Sequence, residues 1–214
     1  MTAINLSRIH FPIHALGPGR RIGIWFQGCS IRCKGCVSMD TWSPNKGAST
    51  VEALLGSISP WLVEADGITI SGGEPFDQPE ALSVTLQGVR SVFSRDILVY
   101  SGYPLEQLDL SAFDGLIDTI VSDPFDLSSN QTLPLRGGDN QRLTFLTALG
   151  RERFAAYSRP LGAEAQALDV MFDDETGEVF FVGIPRRGDM RRFANVLEQM
   201  GHTIATTEDV RVLL

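Results

Sequence analysis

The sequence predicts an α/β fold with a mostly parallel sheet, and three observations predict it. Short apolar runs recur at residues 22–27, 67–71, 96–100, 116–121 and 142–146. Helix-patterned segments alternate with the early runs, as parallel crossovers require. The motifs that carry chemistry follow the ends of these runs, where open α/β sheets bind ligands. At 214 residues the chain has room for one domain and a small appendage.

The elements follow in order. Gly17-Pro18-Gly19 is a turn signal that closes the first 21 residues. His10 and His14 share a spacing that suits one helix face, but Pro12 lies between them, so both read as structural or exposed. Residues 22–27 form a buried first strand, and Gly28 permits a sharp turn after it. Ser49 and Glu52 make a capping box. Leu54, Leu55, Ile58, Trp61 and Leu62 then recur at helical spacing until Pro60 bends or ends the helix. After the strand 67–71, Pro79 suits a first helical turn, with Leu82, Leu86, Val89 and Phe93 inward. Strand 96–100 precedes a short helix at 104–110. A fourth strand at 116–121, a polar loop at 123–141 and a fifth strand at 142–146 complete this part.

Beyond it, the expectation is a helical piece at 151–157 and a hairpin of strands 168–172 and 178–182 about a turn at 173–177. A helix follows, with Met190, Phe193, Val196, Leu197 and Met200 inward and Gly201 as its stop. A final strand is expected at 203–206. The division is therefore 1–147 and a small α+β extension at 148–214. The extension adds no metal ligand, and its simplest role is structural, closing one edge of a barrel, with docking of a partner as the alternative. Arg186, Arg187, Arg191 and Arg192 make a local basic face, either solvated or set to dock an acidic protein or phosphate-bearing substrate.

Composition excludes several classes. With 43% hydrophobic and 21% charged residues, the chain is an ordinary globular one. Its formal charge of −8 argues against a general nucleic-acid surface. No apolar run reaches membrane-span length, and the first 16 residues lack a basic stretch followed by an apolar one. The expected location is the cytoplasm.

All three cysteines fall within eight residues, Cys29, Cys33 and Cys36, spaced Cys-x3-Cys-x2-Cys. Four readings are open. The thiols could be packed as small hydrophobes, although core cysteines do not normally crowd beside Arg32, Lys34 and Gly35. A disulfide would leave an odd thiol. A zinc-binding module without catalysis would need His10 or His14 as fourth ligand. An iron–sulfur cluster suits soft anionic thiolates. With three ligands, one iron of a four-iron cluster stays open to a small molecule. Arg32 and Lys34 would favour ionised sulfur or be solvated.

Ser71-Gly72-Gly73-Glu74-Pro75 follows the second strand. With the cysteine loop one unit upstream, it resembles the radical S-adenosylmethionine superfamily. That resemblance implies an open partial (β/α) barrel and one 4Fe–4S cluster on Cys29, Cys33 and Cys36. It implies S-adenosylmethionine chelated at the open iron, cleavage to a 5′-deoxyadenosyl radical, and hydrogen abstraction from a substrate. Gly35, Ser71, Gly72, Gly73 and Glu74 would help to seat the cofactor, and Ser101 lies where members often contact its ribose or carboxylate.

The flanks carry a narrower resemblance. Gly17-Pro18-Gly19, Gly35-Cys36, Thr41-Trp42, residues 100–103, Pro124-Phe125 and residues 136–141 follow the order of glycyl-radical activating enzymes, specifically the activator of anaerobic ribonucleotide reductase. This resemblance spans roughly residues 8–146. It implies a glycyl radical enzyme as partner and an electron donor such as a flavodoxin or ferredoxin. No cysteine remains for a second cluster, and no glycyl-radical acceptor segment occurs, so the chain would be the activator. It departs from the family at Ser122-Asp123 before Pro124, at Gly138-Asp139, and in its length beyond residue 147. Direct action on a small-molecule or nucleotide-derived substrate, and a scaffold that keeps its cluster without turnover, are the alternatives within the superfamily.

Overall fold

A computed structural model describes residues 1–160, 168–172 and 179–202. The strands are β1 (Ala3–Ile13), β2 (Arg21–Phe26), β3 (Ala48–Thr50), β4 (Gly67–Gly72), β5 (Asp96–Tyr100), β6 (Thr119–Ser122), β7 (Arg142–Phe145), β8 (Leu168–Phe172) and β9 (Val179–Gly183). The helices are α1 (Val51–Ile58), α2 (Pro79–Arg90), α3 (Ala148–Phe154) and α4 (Asp189–Gln199). Seven strands form one sheet in the order β3-β1-β2-β4-β5-β6-β7, and β8 and β9 form a separate antiparallel pair. The pairs β2–β4, β4–β5 and β5–β6 are parallel. The sheet is therefore mixed α/β, with a parallel centre and β3 and β7 as its edges.

Alternation sorts the central strands into two faces. Ile22, Ile24 and Phe26 of β2, Ile68 and Ile70 of β4, and Ile97 and Val99 of β5 join Leu54 and Ile58 of α1 and Leu82, Leu86 and Val89 of α2 in one core. Trp25, Ser71 and Tyr100 occupy the intervening positions and face a cavity. Both helices cover one side, which leaves the other for the site.

β1 is absent from the sequence expectation. Its register slips between Leu6 and Arg8 and again between His10 and Ile13. The first slip changes parity, so Ile4, Leu6, Ile9 and Phe11 all reach the helix-side core. Two bulges thus scrambled the period-2 signal. His10 packs against Trp25 and Phe180 with ring centroids 5.7 and 4.9 Å away.

Other expectations need correction. Thr50, not Ser49, caps α1, accepting from Ala53 N at 3.1 Å, because Ser49 is drawn into β3 beside Ile4. The short helix at 104–110 is instead two single 3₁₀ turns at Leu105–Gln107 and Ser111–Phe113. β6 begins at Thr119 because Asp118 is engaged elsewhere: its carboxylate receives Arg90, Ile97 N and Thr147 Oγ1. β7 runs antiparallel to β6, since residues 123–141 return the chain without a crossover helix. Helix α1 ends at Ile58, just before Pro60, as expected.

At the start of the parallel strands, Arg21 and Asp96 pair at 2.7 Å with neither side chain exposed. Arg21 also donates to Thr69 Oγ1 and Ile68 O. Arg153 of α3 donates to the other Asp96 oxygen at 3.0 Å, and Phe154 is fully buried beside Leu98, Val121 and Leu135. Burial lowers the Arg21 pKa, and the Asp96 charge opposes that shift.

The hairpin of the extension pairs with no strand of the large sheet. Val182 of β9, with Met171 and Ile184, packs on Ile13, Leu16 and Trp25, on the face opposite α1 and α2. Asp169 of β8 accepts from His14 N at 2.6 Å and Ala15 N at 2.7 Å. Helix α4 has no buried residue, and Val196 and Met200 are 54% and 68% exposed, so the expected inward stripe is not formed. The expected turn at 173–177 and strand at 203–206 lie outside the described residues.

Candidate functional site

The loop after β2 carries the thiols. Gly28 adopts φ 103°, which only glycine takes readily, and donates to Thr41 O at 2.7 Å. Cys29 N donates to Trp42 O at 3.2 Å. Asp77, in the turn after β4, accepts from Ser30 N at 2.7 Å and Ser30 Oγ at 3.0 Å, and Tyr103 OH donates to it at 2.7 Å. One carboxylate therefore joins the cysteine loop to the segments after β4 and β5.

Gly72 and Gly73 are fixed by a close approach within the fold. A Cβ on Gly73 would lie 2.0 Å from Gly28 O, and one on Gly72 would lie 2.4 Å from Phe26 O. Gly73 N and Glu74 N donate to Phe26 O and Gly28 O at 2.9 and 2.8 Å. The glycine pair thus clamps the end of β4 onto the start of the cysteine loop.

Glu74 is 1% exposed. Its carboxylate accepts from Phe76 N and Ser101 Oγ, both at 3.0 Å, and from Gly102 N at 2.7 Å. Burial pushes its pKa to about 7, and the three donors only partly oppose that rise. It is a buried carboxyl held by three donors at the end of β4.

Cys29, Cys33, Cys36, Gly35, Ser71, Gly72, Gly73, Glu74 and Ser101 all line one cavity at the carboxyl ends of the parallel strands. Neither His10 nor His14 is among the lining residues. Tyr100 and Phe125, which the sequence placed only among the family-like flanks, also line it, whereas the sequence reading missed Arg8, Trp25, Gln131 and the wall from β9. Their residue types carry no motif; only topology gathers them. Arg8 pairs with Asp40 at 2.5 Å and lies over Trp25 and Phe180. The four arginines of the extension do not form one basic face: Arg187 turns inward over Phe125 with 5.0 Å to the ring centroid, and Arg192 pairs with Asp189.

The three cysteines are free thiols, each partly buried. Burial raises all three thiol pKa values. Cys29 adds to the rise at Cys33, and both add to it at Cys36, so the sulfurs lie within electrostatic reach of one another. Backbone N–H groups oppose the rise: Arg32 N and Ser38 N donate to Cys29 and Cys36 sulfurs at 3.5 and 3.4 Å. The Arg32 guanidinium instead donates to Cys29 O at 3.3 Å. Main-chain donors only partly offset that rise, and the Arg32 guanidinium, which the sequence left either to favour ionised sulfur or to be solvated, is bound to a carbonyl. Among the described residues, no three His, Cys, Asp or Glu side chains converge on one metal ion. A four-iron cluster needs no such convergence, because each thiolate binds a different iron. Soft donors, main-chain N–H groups directed at sulfur and an adjoining cavity fit such a cluster.

Comparison with known proteins agrees with this geometry. The 4Fe-4S single cluster domain family matches residues 15–144. The anaerobic ribonucleoside-triphosphate reductase-activating protein of Enterobacteria phage T4 is 29% identical over 147 residues, covering 65% of this chain and 93% of its own. That of Vibrio cholerae is 32% identical, covering 62% and 92%, and that of Escherichia coli K12 is 28% identical, covering 62% and 93%. QueE from Escherichia coli aligns with 47% of this chain and 53% of its own at a TM-score of 0.39 and 21% identity, too partial a likeness to weigh.

Site and relatives define an iron–sulfur protein with a single-cluster 4Fe-4S domain. The chain belongs to the 4Fe-4S single cluster domain family, together with the activating proteins of anaerobic ribonucleoside-triphosphate reductase. No described helix is long and apolar enough to cross a membrane.

Proposed function

We propose that this chain holds a 4Fe–4S cluster on Cys29, Cys33 and Cys36, cleaves S-adenosylmethionine reductively, and removes a hydrogen atom from a glycine of a partner reductase. One observation carries the reading: the three thiols and the Gly72-Gly73-Glu74 turn, 36 residues apart from Cys36 to Gly72, line the same cavity. When bound, the cluster supplies one electron to the sulfonium, and S-adenosylmethionine supplies the hydrogen acceptor, ending as methionine and 5′-deoxyadenosine.

The chain's own residues do the positioning. Glu74 offers a buried carboxylate to a positive amino group, and Ser101 Oγ orients that carboxylate at 3.0 Å. Gly35, with φ 78°, turns the loop between Cys33 and Cys36. Ser71, Gly72 and Gly73 present backbone along the cavity wall. Trp25, Tyr100 and Phe125 surround that space with apolar surface, which excludes water from a reactive intermediate.

The same reading includes an electron donor of flavodoxin or ferredoxin type and a cytoplasmic setting, which suits three unpaired thiols. It includes the partial-barrel curvature, supported by packing of β9 and the 123–141 loop over opposite ends of one sheet face. It divides the chain at residue 147, near the end of the family match, although α3 packs with the sheet.

Anaerobic reconstitution tests the proposal. About four irons per chain are expected, with 5′-deoxyadenosine formed under a strong reductant and a glycyl radical signal on an added reductase. Loss of the cluster on Cys33→Ala is part of the same result. One zinc per chain, or a four-iron protein that makes no 5′-deoxyadenosine, would overturn it. Turnover of a free small molecule without any reductase would support the small-substrate alternative.

A further inference from the structure

The cavity has a wall that the family match does not reach. That match ends at residue 144, and the relatives have 92–93% of their own length aligned already. Little of them remains to supply a counterpart to β9 and the segment after it. Yet Phe181, Val182, Ile184, Pro185, Arg187 and Met190 line the same cavity as the three thiols and Glu74.

This wall is tied to the rest of the site. Gln131, in the loop after β6, uses both ends of its amide: its nitrogen donates to Pro185 O at 2.9 Å, and its oxygen accepts from Arg187 N at 3.0 Å. The Arg187 guanidinium donates to Asp126 O, Ser129 O and Gly137 O at 3.2, 3.1 and 3.4 Å while lying on Phe125. Phe125 in turn lies beside Gly35 of the cysteine loop, where an added Cβ would sit 3.5 Å from its ring. A continuous set of contacts thus runs from the extension to the cysteine loop.

The wall also has a chemical character. It is largely apolar, and with Trp25, Tyr100 and Phe125, which it packs against, it gives the cavity an apolar lining. Glu74 is the one carboxylate among the described lining residues. Both lining arginines are already engaged, Arg8 by Asp40 and Arg187 by three carbonyls. A phosphorylated nucleotide would meet no uncommitted cation among the described lining residues. An uncharged, slender stretch of polypeptide would enter such a lining with no charge to desolvate.

We propose that residues 181–190 are a selectivity wall of the reaction cavity, latched by Gln131 and Arg187, that admits an uncharged glycine-bearing segment of the partner. Arg187 and Gln131 are positioning residues: they act by holding the wall. The proposal deepens the activating function above and rests on it.

Two measurements test it. The first is hydrogen exchange on the cluster-free chain. Arg187→Ala and Gln131→Ala each speed exchange in residues 179–190 by about tenfold, the scale of losing hydrogen bonds to a charged or buried group. Arg192→Ala, which removes only the pair with Asp189, does not. The second is activation of the reductase by reconstituted enzyme. Both latch variants raise KM for the reductase about tenfold with a smaller change in kcat, the signature of lost binding that is uniform along the reaction. Unchanged exchange in both variants overturns the latch. Faster exchange with unchanged KM overturns the selectivity role. Failure of the activating function itself looks different: the unaltered enzyme then activates no reductase, while the exchange experiment still reports on the latch.

Discussion

Asp77 accepts two hydrogen bonds from Ser30, from the backbone N–H at 2.7 Å and the hydroxyl at 3.0 Å. Ser30 follows Cys29, so this carboxylate holds the first thiol's neighbour, and Tyr103 OH braces it at 2.7 Å. The cysteine loop is thus positioned from the turn after β4, 47 residues away. A charge-assisted bond of this kind contributes about 1.5–3 kcal/mol. Asp77→Ala should release iron to a chelator at least about tenfold faster than the unaltered protein after reconstitution. Equal iron-release rates would show that the loop holds its shape without Asp77.

Glu74 makes stability depend on pH. Its folded pKa, about 7, lies above its ordinary value of 4.5, so the folded state binds the extra proton between those limits. Stability of the cluster-free chain should be greatest below pH 4.5 with respect to this group. It should fall as pH rises toward 7, by at most about 1.4 kcal/mol per unit. Glu74→Gln removes that slope. Urea midpoints measured across the interval, for both proteins, read the difference directly.

The Arg21–Asp96 pair is fully buried, and Arg153 adds a second cation to the same carboxylate. Removing one partner leaves an uncompensated charge in the interior. Asp96→Ala should cost about 3–5 kcal/mol of folding stability. The double change Arg21→Met, Asp96→Leu should cost less than Asp96→Ala alone, because the fully buried charge at Arg21 is no longer orphaned and only the partly exposed Arg153 loses its partner. Chemical denaturation of the cluster-free chain gives both values. A double variant less stable than Asp96→Ala would indicate that shape, not charge, dominates at this site.

The sequence by itself determined the thiols, the Gly72-Gly73-Glu74 turn and the parallel run of β2, β4 and β5, because each is written locally. Fixed spacing marks the thiols, a short turn marks the glycines, and unbroken apolar runs mark strands buried on both faces. Tertiary structure decided what depends on distant partners. Two bulges hid β1 by changing its parity. The antiparallel course of β7 was set by pairing with β6. Helix α4 carries an apolar stripe that finds no core, and Arg187 leaves the expected basic face to lie on Phe125. A period records which residues are alike. It does not record what stands opposite them, and that opposition brings β9 over the cysteine loop.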